Sequence, residues 1–219
     1  MAKMKSWTYS HLEAFETCPK RYFHTRVAYD VKEPESEYIK WGNTVHKAFQ
    51  DHVSLGTPFP ETMTAFTSIG NQLRAINGVK HCEYKMAINR AFKPVDWYSK
   101  EAWSRGIADL VIETPKKLIL VDYKTGKRKV SEQLGLYALY AFAHYPAVNE
   151  VQSGFIWLKE KKIDKETYRR EDVPELWKPF LTRASRLETA FKEDNWPAQP
   201  SGLCKGWCPV KSCPHCGVK

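Results

Sequence analysis

Apolar residues recur along this chain with two periods, one helical and one alternating. Tyr38, Trp41, Val45, Ala48, Phe49 and His52 follow near-helical spacing and predict a helix from Tyr38 to Leu55, ended by Gly56-Thr-Pro-Phe-Pro60. A shorter helix is expected from Ser10 to about Thr25, with Ser10 as N-cap and Glu13 completing a capping box. A third helix runs to about Ile76. From Cys82 to Ile88 apolar and polar residues alternate, as in a strand. Two apolar runs follow, Leu110-Val-Ile112 and Leu118-Ile-Leu-Val121, around the turn cluster Glu113-Thr-Pro-Lys-Lys117. They read as a β-hairpin from about Trp103 to Lys124 with a five-residue connection. Ser131 opens a helix to about His144 that buries Leu134, Ala138 and Ala141. A strand over Val151–Leu158, a partner over Lys165–Arg170 and an amphipathic helix over Pro174–Glu193 complete the pattern. Trp196-Pro-Ala-Gln-Pro200 then leads into a cysteine-rich tail.

This order predicts an α/β fold with a mixed central sheet flanked by helices. The helix from Ser131 supplies the crossover that a parallel strand at Val151 requires. At 219 residues the chain is expected to form one domain. Its parts are an N-terminal helical region (6–80), a core (81–195) and the cysteine tail (196–219). Neither repeats nor low-complexity segments interrupt it. A hydrophobic content of 42% suits a packed core, and no apolar run approaches the ~18 residues of a membrane span. Met1-Ala-Lys-Met-Lys-Ser6 lacks the apolar stretch of a signal peptide. A cytoplasmic protein without membrane contact is expected (host cytoplasm, if a phage encodes it).

The formal net charge is +9, which favours a polyanionic partner, nucleic acid before an anionic membrane. Lys116-Lys117, Lys124 to Lys129, Lys159 to Lys162 and Arg169-Arg170 bracket the hairpin end. No Walker A sequence is present, so ATP hydrolysis is not expected.

The hairpin end carries the chemistry. Asp109 precedes the first apolar run and Asp122 follows the second, so an antiparallel pairing sets them opposite each other. Alternation puts Asp122 and Lys124 on one face and Tyr123 on the other. Two carboxylates and the Tyr123 carbonyl are oxygen donors suited to Mg²⁺ or Mn²⁺. Lys124 can orient water or neutralise charge developing on a phosphate. Gln133 and Tyr137 are i, i+4 neighbours on the following helix, and His46 sits mid-helix between Asn43 and Gln50.

Gly106-x-x-Asp109 with Val121-Asp-Tyr-Lys-Thr-Gly126 resembles the core of the PD-(D/E)XK nucleases, in their RecB-like exonuclease branch. Further elements match in order: Tyr9-Ser-His-Leu12 with Phe15-Glu-Thr-Cys-Pro19 and Tyr22, then Trp41-Gly42-Asn-Thr-Val-His46, then Gln133-x-x-x-Tyr137. The resemblance spans roughly residues 9 to 216 and implies a restriction-endonuclease-like core. It implies His46 as a metal ligand beside Asp109 and Asp122, with Lys124 as the catalytic lysine. Gln133 and Tyr137 would then lie beside the site, and Glu83 could support it.

Four of the six cysteines fall within the last sixteen residues, as Cys204-x3-Cys208-x4-Cys213-x2-Cys216. In a chain without a secretory signal such a cluster points to metal rather than disulfides. The AddB-type and CRISPR-adaptation iron–sulfur nucleases are similar here. That resemblance implies a [4Fe-4S] cluster on Cys18, Cys204, Cys208 and Cys213, with Cys216 as an alternative ligand. A compact zinc site on the four C-terminal thiolates is the alternative. Cys82 reads as a buried strand residue.

The expected function is therefore a divalent-metal-dependent DNA exonuclease in recombination, repair or processing. Its expected substrate is single- or double-stranded DNA, with a recombination or helicase protein as candidate partner. Tyr22, Trp41 and Tyr137 are candidates for stacking on bases. The rival readings are a non-catalytic DNA-end-binding module and an endonuclease or RNA nuclease on the same core.

Overall fold

A computed structural model describes residues 4–217. They group into two compact units, one from the residues up to Glu35 with those from Pro179 onward, the other Ser36–Lys178.

In the first unit, the N-cap of α1 (Tyr9–Thr17) is Thr8, two residues before the expected Ser10, its side chain accepting from His11 N at 3.2 Å. The helix breaks at Cys18, which is extended (φ −168°, ψ 107°) because Pro19 follows it. After α2 (Pro19–Tyr22) the chain widens into a π-turn, Phe23–Val27, so the expected continuous helix is three short pieces. Tyr22 is buried, stacked on Trp196 and edge-on to Phe15. Arg183 grips the Glu16 carboxylate through two bonds, 2.7 and 2.8 Å.

The second unit holds α3 (Glu37–Leu55), capped by the Ser36 side chain on Ile39 N and stopped by Gly56 in the left-handed region (φ 78°). A 3₁₀ turn, Glu61–Phe66, leads to α4 (Thr67–Ala75). The strands are β1 (Val79–Ile88), β2 (Pro94–Val95), β3 (Ser104–Glu113), β4 (Leu118–Lys124), β5 (Glu150–Trp157) and β6 (Lys162–Arg169). Among the described residues they form one mixed sheet in the order β2-β1-β3-β4-β5-β6. Glu113 pairs with Leu118, so the hairpin connection is four residues rather than five. The strand pair β4–β5 is parallel and is joined through α5 (Gln133–His144), as the crossover argument requires. The short β2 was not foreseen. The last helix, α6 (Val173–Glu193), contains Pro179, and the boundary between the units falls there. No helix among the described residues is long and apolar enough to cross a membrane.

Val45, Phe49 and Val53 of α3 and Leu73 of α4 share one core with Leu110, Ile112, Val121, Tyr123 and Ile156 on one face of the sheet. On the other face lies α5, buried from Leu134 to Phe142 on every side rather than on one stripe. Arg170 donates to the carbonyls of Phe142, Tyr145 and Val148 around the C-terminal end of α5. It is a helix cap and not a phosphate contact.

The sheet's alternation inverts at one position. Cys82 reaches Gln50 of α3, and Leu110 and Ile112 join the α3 core. Two residues further along β1, and four along β3, the even positions face α5 instead: Tyr84 meets His144, and Gly106 meets Tyr137 and Tyr140. The switch coincides with Glu83, whose φ is +52°, opposite Asp109 where the β1–β3 pairing is interrupted. In uninterrupted alternation Asp109 would face away from Leu110. The irregularity brings both to the α3 side.

Candidate metal and catalytic centre

His46 Nδ1 lies 3.1 Å from Asp109 Oδ1. The other Asp109 oxygen accepts from Tyr123 N at 2.6 Å, which fixes the carboxylate at the point where β3 and β4 part. Glu83 completes a trio: donor atoms of His46, Glu83 and Asp109 lie within 4.8 Å of one another. Two carboxylate oxygens and an imidazole nitrogen at this spacing suit Mn²⁺ or Mg²⁺. The sequence placed Glu83 near the site only through the family resemblance. Strand alternation carries no signal for its left-handed backbone.

Asp122 follows the last β3–β4 pair, Leu110↔Val121, and stands outside the trio, though close enough to feel the Asp109 charge. It is buried, and its Oδ2 pairs with Lys124 Nζ at 2.7 Å. Lys124 Nζ also donates to Gln133 Oε1 at 2.8 Å, and Gln133 Nε2 donates to the Tyr137 hydroxyl at 2.6 Å. The lysine is therefore held between a carboxylate and an amide, above the Phe155 ring (5.0 Å to the centroid). Tyr123 points to the opposite face and stacks on Phe49, centroids 4.2 Å apart.

Gly106 permits this arrangement by having no side chain. A Cβ there would stand 2.5 Å from Tyr140 and 3.1 Å from Tyr137, so any larger residue pushes α5, and with it Gln133, off the sheet. Gly42 sits near Thr125, which brings the Gly-x-x-x-His helix against the end of the Asp-x-Lys-Thr-Gly segment.

The electrostatics follow from burial and crowding. Burial, then the Asp109 charge, push Asp122 up to about 7 despite Lys124. Burial and Asp109 also raise Glu83. Burial works to lower His46, but its bond to Asp109 and the surrounding carboxylates outweigh that and raise it. A cluster of acids this close is strained while its charges are uncompensated, and a divalent cation compensates them.

A cleft of about 890 Å³ is lined by Arg128, Lys129, Ser131, Lys165 and others, and by Phe155, whose ring lies under Lys124. Arg128 is exposed but bound there to Asp164, so not every cation near the site carries an unmatched charge. Two stacking candidates are overturned: Tyr22 and Tyr137 are 3% and 7% exposed and cannot receive a base, whereas Trp41 is 40% exposed.

In the other unit, Cys18, Cys204, Cys208, Cys213 and Cys216 line one small cavity, joined by His215, which the cysteine spacing does not single out. Cys82 is half-buried on β1, with Sγ 3.9 Å from Gln50 O.

The family model of the PD-(D/E)XK nuclease superfamily matches residues 6–215. Among solved structures, a protein from Eubacterium rectale provisionally named an exonuclease is similar at 10% identity and TM-score 0.49, covering 92% of each chain. The protein SSO0001 is similar at 15% identity and TM-score 0.43, over 98% of this chain and 88% of that one. No curated protein sequence matches. The family match spans the acid pair, the lysine and the six-stranded mixed sheet that carries them. The chain belongs to the PD-(D/E)XK nuclease superfamily.

Proposed function

We propose that this nuclease is a divalent-metal-dependent DNA exonuclease. The observation that carries the reading is the Asp122–Lys124–Gln133 array beside the His46–Glu83–Asp109 trio. His46, Glu83, Asp109 and Asp122 would hold Mg²⁺ or Mn²⁺, with the Tyr123 carbonyl as a further oxygen ligand. Such an ion supplies Lewis acidity toward the phosphate and lowers the pKa of water. Lys124 places its ammonium where negative charge grows on the phosphate in flight, and Gln133 fixes its position. Tyr123 N–H keeps Asp109 in one orientation, so the carboxylate need not reorganise during the reaction. The exonuclease mode is supported by Gly42-x-x-x-His46 and Gln133-x-x-x-Tyr137, which resemble elements of the RecB-like exonuclease branch. Cleavage in Mn²⁺ or Mg²⁺ of linear DNA and of the same DNA as a closed circle tests the reading. Loss of the linear form alone is expected; cutting of both makes the protein an endonuclease, and cutting of neither overturns DNA hydrolysis.

The cysteines of the other unit are proposed to hold a [4Fe-4S] cluster on Cys18, Cys204, Cys208 and Cys213. Cys18 and Cys204 Sγ accept the backbone N–H groups of Gln199 and Ser201, the kind of contact that tunes cluster sulfurs. Cys216 Sγ instead lies 3.4 Å from the Cys208 carbonyl, which leaves it as the alternative ligand. A brown preparation absorbing near ~400 nm is expected; a colourless protein with stoichiometric zinc would select the zinc alternative.

A further inference from the structure

Cations and aromatic rings interleave on the sheet beyond Glu83 and Asp109. Lys85 Nζ lies 5.7 Å from the Trp97 ring centroid and 5.8 Å from that of Tyr98. The Arg105 guanidinium lies 5.6 Å from Trp97. Arg105 donates one bond, to Ser99 O, and its Nε is buried without a partner. Among the described residues neither cation has a carboxylate partner. The nearby Asp96 is engaged in its own turn, its carboxylate accepting from Tyr98 N at 2.8 Å. That turn holds Trp97 half-buried and leaves Tyr98 78% exposed.

The patch shares a face with the metal trio. Tyr84 and Gly106 turn toward α5, so their neighbours Lys85 and Arg105 turn the other way, toward the side on which Asp109 meets His46. Lys85 is two residues from Glu83 and Arg105 four from Asp109, or roughly 7 and 13 Å along the strands. Stacked nucleotides rise ~3.4 Å each along one strand, so the patch lies roughly two to four nucleotides from the trio.

We propose that Lys85, Trp97, Tyr98 and Arg105 form a stacking platform for single-stranded nucleic acid on its way to or from the cleavage site. Exposed rings receive bases whatever their sequence, and the two cations meet the phosphates between them. A duplex keeps its bases stacked on each other and offers the rings nothing to hold. The proposal rests on the nuclease reading only for what the strand is brought to. Binding itself is measured without cleavage.

The test is fluorescence anisotropy of the full chain in EDTA with a labelled oligothymidylate of about twelve nucleotides, beside a blunt duplex. Tyr98→Ala should weaken single-strand binding about tenfold, with Tyr98→Phe within about twofold of wild type. Lys85→Ala should weaken it less and flatten the salt dependence by about one phosphate contact, and Lys85→Arg should restore it. Both side chains are exposed, so the fold survives these changes, and thermal melts check that it does. Unchanged single-strand affinity in Tyr98→Ala and Lys85→Ala overturns the platform, as does equal loss for the duplex or no binding by the wild type. A protein that binds as described but cleaves nothing leaves the platform standing and removes the nuclease reading instead.

Discussion

Glu83 stands opposite Asp109 in the β1–β3 register with a left-handed backbone, φ +52°, and the two carboxylates converge with His46 where the ladder is interrupted. A non-glycine residue in that region costs of order 1–3 kcal/mol, so the strain falls on a residue of the proposed metal site. Glu83→Gly should melt above Glu83→Ala by about 1 kcal/mol, the reverse of the usual order in a strand. Both should bind Mn²⁺ at least about tenfold more weakly than wild type by calorimetry. Unchanged Mn²⁺ affinity would remove Glu83 from the ligand set.

Proton release should accompany metal binding. Asp122 is pushed up to about 7 and the surrounding carboxylates raise His46, so an ion binding here competes with protons. Apparent Mn²⁺ affinity should rise with pH through about 7, with proton release visible as a dependence of the calorimetric heat on the buffer. Affinity independent of pH from about 6 to about 8 would contradict this.

The same shifts set the stability of the metal-free protein. Asp122 in the folded chain keeps its proton up to about 7, whereas its ordinary value is 3.8. Between those values the native state holds more protons than the unfolded state, so stability falls as pH rises. His46 acts in the same direction: its stabilisation is present below 6.5 and is lost as pH rises through its higher folded value. Asp122→Asn should flatten the slope of melting temperature against pH over this window. An unaltered slope would mean that Asp122 titrates normally.

Gln133 and Tyr137 differ in how directly they act. Gln133→Ala frees Lys124 from its amide partner and should lower kcat by about one to two orders of magnitude, with little change in KM. Tyr137→Phe removes only the acceptor behind Gln133, so a smaller loss is expected. A larger loss for Tyr137→Phe would reverse that order.

Gly106→Ala forces its Cβ against Tyr140. Overpacking of this kind costs about 1–3 kcal/mol, read as a lower melting temperature. Activity should fall further than stability alone explains, because α5 carries Gln133.

Asp109, Asp122 and Lys124 were legible because a hairpin between two apolar runs leaves few registers, and the strand after the crossover had to be parallel. The faces of Asp122, Lys124 and Tyr123 followed from alternation alone. Glu83 came only from the family resemblance, because a left-handed residue inside a strand leaves no mark on an alternating pattern. Tyr22 and Tyr137 were misjudged because periodicity does not reveal that Trp196 covers one and that α5 is buried on every side around the other. The break at Cys18 was readable from Pro19 and was missed. Arg170, taken with the basic runs, caps α5 through contacts 22 to 28 residues distant in sequence, which charge counting cannot see.

Single-turnover cleavage of linear DNA in Mn²⁺ by wild type and Lys124→Ala, with DNA and Mn²⁺ affinities measured on both, tests the central claim most directly. The account predicts a rate loss of about a thousandfold or more with both affinities kept within a few-fold. Wild-type cleavage by Lys124→Ala would contradict it.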